Sequence, residues 1–165
     1  MNKLVIFDLD GVLIDSRDMH YEALNRALSN VDEKYVIHRE EHLSVYDGLP
    51  TSRKLNLLTE RKGLPVDKHQ QVWEDKQVET LNIFSKLDND YELMHYFKQL
   101  KNKGYQVAVA SNSIRNTVKL VLLKLGLLEF IDYYMSNEDV HRNKPFPEMY
   151  WNCMTASNAL PKDTV

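Results

Sequence analysis

Apolar positions in this chain come in two patterns, short unbroken runs and longer stretches with helical spacing. The segment KLVIFDL, residues 3–9, is an unbroken run rich in β-branched and aromatic residues. Such a run predicts a strand buried on both faces of a sheet. YQVAVAS at 105–111 predicts a second strand, and FIDYYMS at 130–136 a third. Between them, IRNTVKLVLLKLGL has helical spacing and a stop at Gly126. Strand, helix and strand in this order predict a crossover joining a parallel pair.

Two more amphipathic segments flank this unit. DYELMHYFKQLKNKG places Leu93, Met94, Phe97 and Leu100 on one helical face and closes with Gly104. PEMYWNCMTASNAL, residues 147–160, opens with Pro147 and precedes Pro161, which predicts a helix with both ends marked. Residues 16–87 differ in character. They predict helices near 17–30, 51–62 and 66–85, with VDEKYVIHRE and VYDGLP as loops, and contain no convincing strand. A block this long exceeds a plain crossover and predicts an inserted helical subdomain. The predicted class is α/β: a parallel sheet core from residues 1–15 and 88–165, with an all-helical cap over 16–87.

Composition narrows the classes of function. The chain has 165 residues, a formal net charge of −3 and one cysteine. No Lys/Arg run exceeds two residues, so the basic footprint of a nucleic-acid binder is absent. Cys153 excludes an internal disulfide, suits a reducing compartment, and sits among apolar residues as expected of inert filler. No long apolar stretch precedes Asp8, and VKLVLLKLGLLEFI is too short and too charged to span a bilayer. A cytoplasmic protein without membrane or nucleic-acid partners is the expectation. Trp73 and Trp151 fall in helical stretches and are expected to pack.

The chemistry is concentrated where the first strand ends. Asp8 and Asp10 lie one residue apart, followed at once by Gly11. In parallel α/β sheets ligands bind beyond the carboxyl ends of the strands, and Ser111 ends the second strand in the same way. Two carboxylates this close resist being charged together unless a cation or a proton is shared. Mg²⁺ prefers oxygen ligands and commonly combines one or two carboxylates with substrate phosphate. A carboxylate can also attack phosphorus, while a second one protonates the leaving oxygen and then activates water. Gly11 permits the sharp turn that lets backbone N–H groups approach a phosphate.

FDLDGVLIDS resembles the first signature motif of the haloacid dehalogenase superfamily, in the helical-capped branch of phosphoglycolate phosphatase and β-phosphoglucomutase. GYQVAVASNS is similar to the second motif, and NKPFPEMY to the third. The resemblance implies a Rossmann-like core and a Mg²⁺-dependent phosphatase acting on a small phosphorylated metabolite. It implies Asp8 as nucleophile, Asp10 as acid and base, and Ser111, Asn112 and Lys144 as holders of the phosphoryl group. Asp8 and Asp10 are the implied metal ligands. Asp10 also favours phosphate-ester chemistry over carbon–halogen cleavage, because family dehalogenases carry another residue there. His20, one helical turn beyond Ser16, and Arg53, in the loop YDGLPTSRKL, are further candidate substrate contacts. The other histidines show no metal-ligand spacing.

The fourth family motif, an acidic cluster, has no counterpart before Val165, and neither Asp139 nor Asp163 replaces it. The sequence therefore reads as a core whose C-terminal strands are missing. The sheet order of the fold would leave KLVIFDL as an exposed edge able to pair with another chain. A phosphomutase and a catalytically inactive binding module stay open as alternatives to the phosphatase.

Overall fold

The computed structural model describes residues 3–165. Its main elements in chain order are β1 (Lys3–Phe7), α1 (Arg17–Ser29), α2 (Thr51–Lys62), α3 (His69–Phe84), α4 (Tyr91–Asn102), β2 (Tyr105–Ala110), α5 (Arg115–Lys124), β3 (Tyr133–Met135) and α6 (Glu148–Ser157). Two compact units partition the chain. Ser16–Ile83 form one, and the residues up to Asp15 together with Phe84–Val165 form the other.

The second of these units carries a parallel three-stranded sheet in the order β1-β2-β3. Leu4 pairs with Gln106 and Phe7 with Val109, while Ala108 pairs with Tyr133 and Ala110 with Met135. The central strand matches its apolar sequence, since Val107 to Ala110 are all fully buried. β1 is less enclosed than its composition suggests: Leu4 is buried, but Val5, Ile6 and Phe7 are only partly so. Its outer edge is not bare, however. Val165 N–H donates to Leu4 O at 2.9 Å and Ile6 N–H donates to Val165 O at 2.7 Å, so the last residues start a parallel ladder there. The edge expected to be open is thus partly taken up by the chain itself.

β3 is shorter than the seven-residue run that predicted it. Gly126 ends α5 at φ +74°, a left-handed conformation suited to glycine, and Leu127 N–H bonds back to Leu122 O at 2.8 Å. Leu128–Phe130 then form a 3₁₀ turn, which uses up the first part of the predicted strand. The Asp132 carboxylate enters the sheet instead, accepting Val107 N–H at 2.7 Å and pairing with Lys101.

Helices pack on this sheet through the faces the sequence marks. Phe97 of α4 is fully buried and stacks against Phe7, ring centroids 4.9 Å apart. The Asp90 carboxylate caps that helix by accepting Glu92 and Leu93 N–H. On α6, Met149, Cys153 and Ser157 recur every four residues and are buried, with Met149 and Cys153 joining Leu4, Ala108 and Ala110 in one cluster. Burial pushes the Cys153 thiol up to about 11, so it stays protonated and inert. Trp151 lies off that face and is 56% exposed.

The helical unit has its own core, built from Leu24, Leu28, Ile37, Tyr46, Leu58 and Leu64 among others. Part of the segment read as loop is helical here. Arg39–Glu41 form a short helix continued by a π turn over His42–Tyr46. The polar sequence HREE hid this turn, whose buried side, His42 and Tyr46, shows only every four residues. The Asn25 amide fixes the chain before it, accepting Ile37 N–H and donating to Ile37 O, both at 2.9 Å. Among the described residues, no helix is long and apolar enough to cross a membrane.

Candidate active site

Three chain segments meet at the carboxyl end of the sheet. β1 delivers Asp8 and Asp10, β2 delivers Ser111 to Ser113, and the connection between β3 and α6 delivers Lys144. The Lys144 ammonium lies 2.6 Å from Asp8 Oδ1 and donates to Ala110 O at 3.0 Å. Its side chain is only 14% exposed, so the positive charge is held by these two oxygens in a partly enclosed place. Asp8 Oδ1 also accepts Leu9 N–H at 2.7 Å. Both of these carboxylate contacts fall on Oδ1, and the Asp8 side chain is 41% exposed.

Asp10 is oriented by hydroxyls. Ser113 Oγ donates to Asp10 Oδ2 at 3.1 Å, and Ser111 Oγ approaches the same oxygen at 3.4 Å. Ser111 is fully buried, and its hydroxyl accepts Ser113 N–H at 3.0 Å, which fixes the two serines relative to each other. The ladder between β2 and β3 continues into this loop, because Ser111 N–H donates to Met135 O at 3.0 Å. Ser113 was missed by the sequence reading as a site residue. Its signal was the spacing of two from Ser111, since alternate positions of an extended chain share a face.

Gly11 turns the chain away from the sheet at φ +79°. Its own N–H donates to Ile14 O at 2.8 Å, so Gly11 supplies the turn rather than a free phosphate donor. Asn112, the expected phosphate contact beside Ser111, has its side chain on the main chain of Lys144. Its Oδ1 accepts Lys144 N–H at 3.0 Å and its Nδ2 donates to Lys144 O at 3.1 Å. The amide is therefore engaged with the main chain of the lysine.

Acidic residues beyond the pair serve the fold. Asp139 closes a capping box with Ser136 and pairs with Arg115, while Glu138 accepts Arg115 N–H at 2.6 Å. Asp163 lies in a 3₁₀ turn over Pro161–Asp163. Among the described residues no group of three or more acidic, histidine or cysteine side chains could hold a metal ion. A half-buried Asp8 whose side chain keeps some access to solvent nevertheless suits a hard cation that draws its remaining ligands from water and substrate. His20 and Arg53 belong to the helical unit: His20 is half-buried on α1, and Arg53 is exposed in the first turn of α2.

Known proteins share this fold. A phosphorylated carbohydrates phosphatase from Thermotoga maritima is 26% identical over 170 residues, covering 98% of this chain and 73% of the relative. A solved β-phosphoglucomutase from Clostridium difficile superposes with a TM-score of 0.76 at 21% identity, covering 99% of this chain and 74% of that one. The solved structure of a predicted phosphoglycolate phosphatase from Haemophilus somnus 129PT gives 0.82 at 20%, covering 99% and 75%. The profile of the haloacid dehalogenase-like hydrolases matches residues 5–165, and the chain belongs to that family.

Proposed function

We propose that this protein is a Mg²⁺-dependent phosphatase that hydrolyses a small phosphorylated metabolite, a sugar phosphate or a phosphoglycolate-like monoester, through an aspartyl-phosphate on Asp8. The observation that carries this reading is the Lys144 ammonium 2.6 Å from Asp8 Oδ1, at the end of a parallel strand. A carboxylate held beside a fixed cation has charge compensation ready for an incoming phosphate dianion. The relative from Thermotoga maritima, a phosphatase for phosphorylated carbohydrates, points to the same class of substrate.

In the first step Asp8 attacks phosphorus and the bond from phosphorus to the ester oxygen breaks. Asp10 gives its proton to that departing oxygen. In the second step Asp10, now a carboxylate, takes a proton from water, the water oxygen attacks phosphorus, and the bond to Asp8 breaks. The Ser113 contact holds the Asp10 carboxyl in place for both transfers. Ser111 and Lys144 hold the phosphoryl oxygens, and His20 and Arg53 are proposed substrate contacts. Asp8 and the Asp10 backbone carbonyl would hold Mg²⁺, which when bound supplies further neutralisation of the phosphate charge.

The test compares this chain with its Asp8→Asn variant on a panel of phosphomonoesters with Mg²⁺. Phosphate release by the parent chain alone supports the mechanism. Equal release by both removes Asp8 from it.

A further inference from the structure

We infer that Asn112 is a positioning residue that acts through Lys144, fixing the main chain from which the ammonium reaches Asp8. The inference rests on the phosphatase reading above and assigns Asn112 a part distinct from direct phosphate contact.

The connection that carries Lys144 is irregular from Val140 to Pro147, so its place is not set by a helix or strand ladder. One side of it is tied down at a distance of two residues. The Glu148 carboxylate accepts His141 N–H at 2.8 Å and Arg142 N–H at 2.9 Å. At Lys144 itself both main-chain groups go to a single side chain, the Asn112 amide, at 3.0 and 3.1 Å. Asn112 is exposed, yet it stands between residues that are fixed. Ser111 N–H continues the sheet to Met135, and Ser113 O accepts Asn137 N–H at 3.1 Å. The position of the end of β2 is thereby passed to the Lys144 backbone.

The Asn25 amide grips Ile37 in the same two-bond manner, and there the residue held is an apolar one of the core. At Asn112 the residue held carries the charge that meets Asp8. An amide is well suited to this, because it sets an N–H donor beside a C=O acceptor, complementary to a peptide's C=O and N–H. A small displacement of a positioned group costs on the order of a hundredfold in rate. Fixing the lysine's backbone is therefore a means of fixing its ammonium.

The test is a double-mutant cycle on the full chain, reading the dissociation constant of inorganic phosphate with Mg²⁺ by calorimetry. The variants are Asn112→Ala, Lys144→Met and the pair. Asn112→Ala is expected to weaken phosphate binding about tenfold in the parent chain and less than about twofold in the Lys144→Met background. Equal weakening in both backgrounds would overturn the inference, because Asn112 would then act on phosphate directly or through general stability. Asn112→Ser, which removes the two-bond grip without adding charge, gives a second check should the alanine variant misfold. It must also lose its effect in the Lys144→Met background, and additivity there would overturn the inference equally. Failure of the parent chain to bind phosphate at all would instead remove the phosphatase reading, and this inference with it.

Discussion

Ser113 Oγ donates a 3.1 Å hydrogen bond to Asp10 Oδ2, joining the loop after β2 to the second aspartate of the pair. A hydroxyl hydrogen bond of this kind contributes roughly 0.5–1.5 kcal/mol. In an acid and base this contribution is realised as orientation, because the carboxyl must face the departing oxygen and later the water. Ser113→Ala is expected to lower kcat/KM for the preferred phosphomonoester up to about tenfold while leaving the melting temperature near the parent's. Unchanged kinetics would show that Asp10 is held by other contacts.

Gly11→Ala probes the turn that follows the pair. A Cβ at Gly11 would meet nothing within 4 Å, so the cost of the change is conformational and not a clash. With φ at +79°, an alanine there costs about 1–2 kcal/mol. Urea denaturation should show that loss of stability. Turnover should fall as well, because relief of the strain moves Asp10, the residue before it. A fully active variant of parental stability would mean that the backbone tolerates alanine at this φ.

His42 makes stability depend on pH in a stated direction. It is 3% exposed, neither ring nitrogen has a hydrogen bond among the described residues, and the Tyr21 ring packs 4.7 Å away. Burial lowers its pKa below the ordinary value, and the Lys54 and Arg39 charges push the same way. Asp47, whose Oδ1 is 3.7 Å from Nε2, and Asp18 oppose them without reversing the direction. The unfolded chain therefore takes up this proton first as pH falls through about 6.5, while the folded chain resists it. Stability contributed by neutral His42 is present above that pH and is lost as pH falls from there towards the folded value. The slope from this one group is at most about 1.4 kcal/mol per pH unit. Urea titrations at pH 7.5 and 5.5 should show the decline, and His42→Phe should reduce it. An identical decline in the variant would place its source elsewhere.

Much of this architecture was legible in the sequence because burial leaves a simple trace. Val107 to Ala110 form an unbroken apolar run since β2 is central, and Phe97 marks the face on which α4 packs. Asp8, Asp10, Ser111 and Lys144 were nameable because each stands at a strand end or beside a proline, in fixed short phrases. What stayed hidden depends on partners distant in sequence. Asn112 is one of several polar residues in a row, and nothing local says that its amide faces the Lys144 backbone 32 positions away. The π turn over His42–Tyr46 follows a charged run that reads as loop. Trp151 shows that an aromatic residue in a helical stretch need not lie on the buried face.

Formation of a covalent bond between Asp8 and phosphorus is the step on which the proposed chemistry turns. A crystal of the chain soaked with Mg²⁺ and beryllium fluoride, a mimic of a bound phosphoryl group, examines that bond directly. Tetrahedral density joined to the Asp8 carboxylate, with the Lys144 ammonium against a fluoride, is the predicted result. Density bonded to any other side chain, or an Asp8 carboxylate left unmodified at saturating beryllium fluoride, would contradict it.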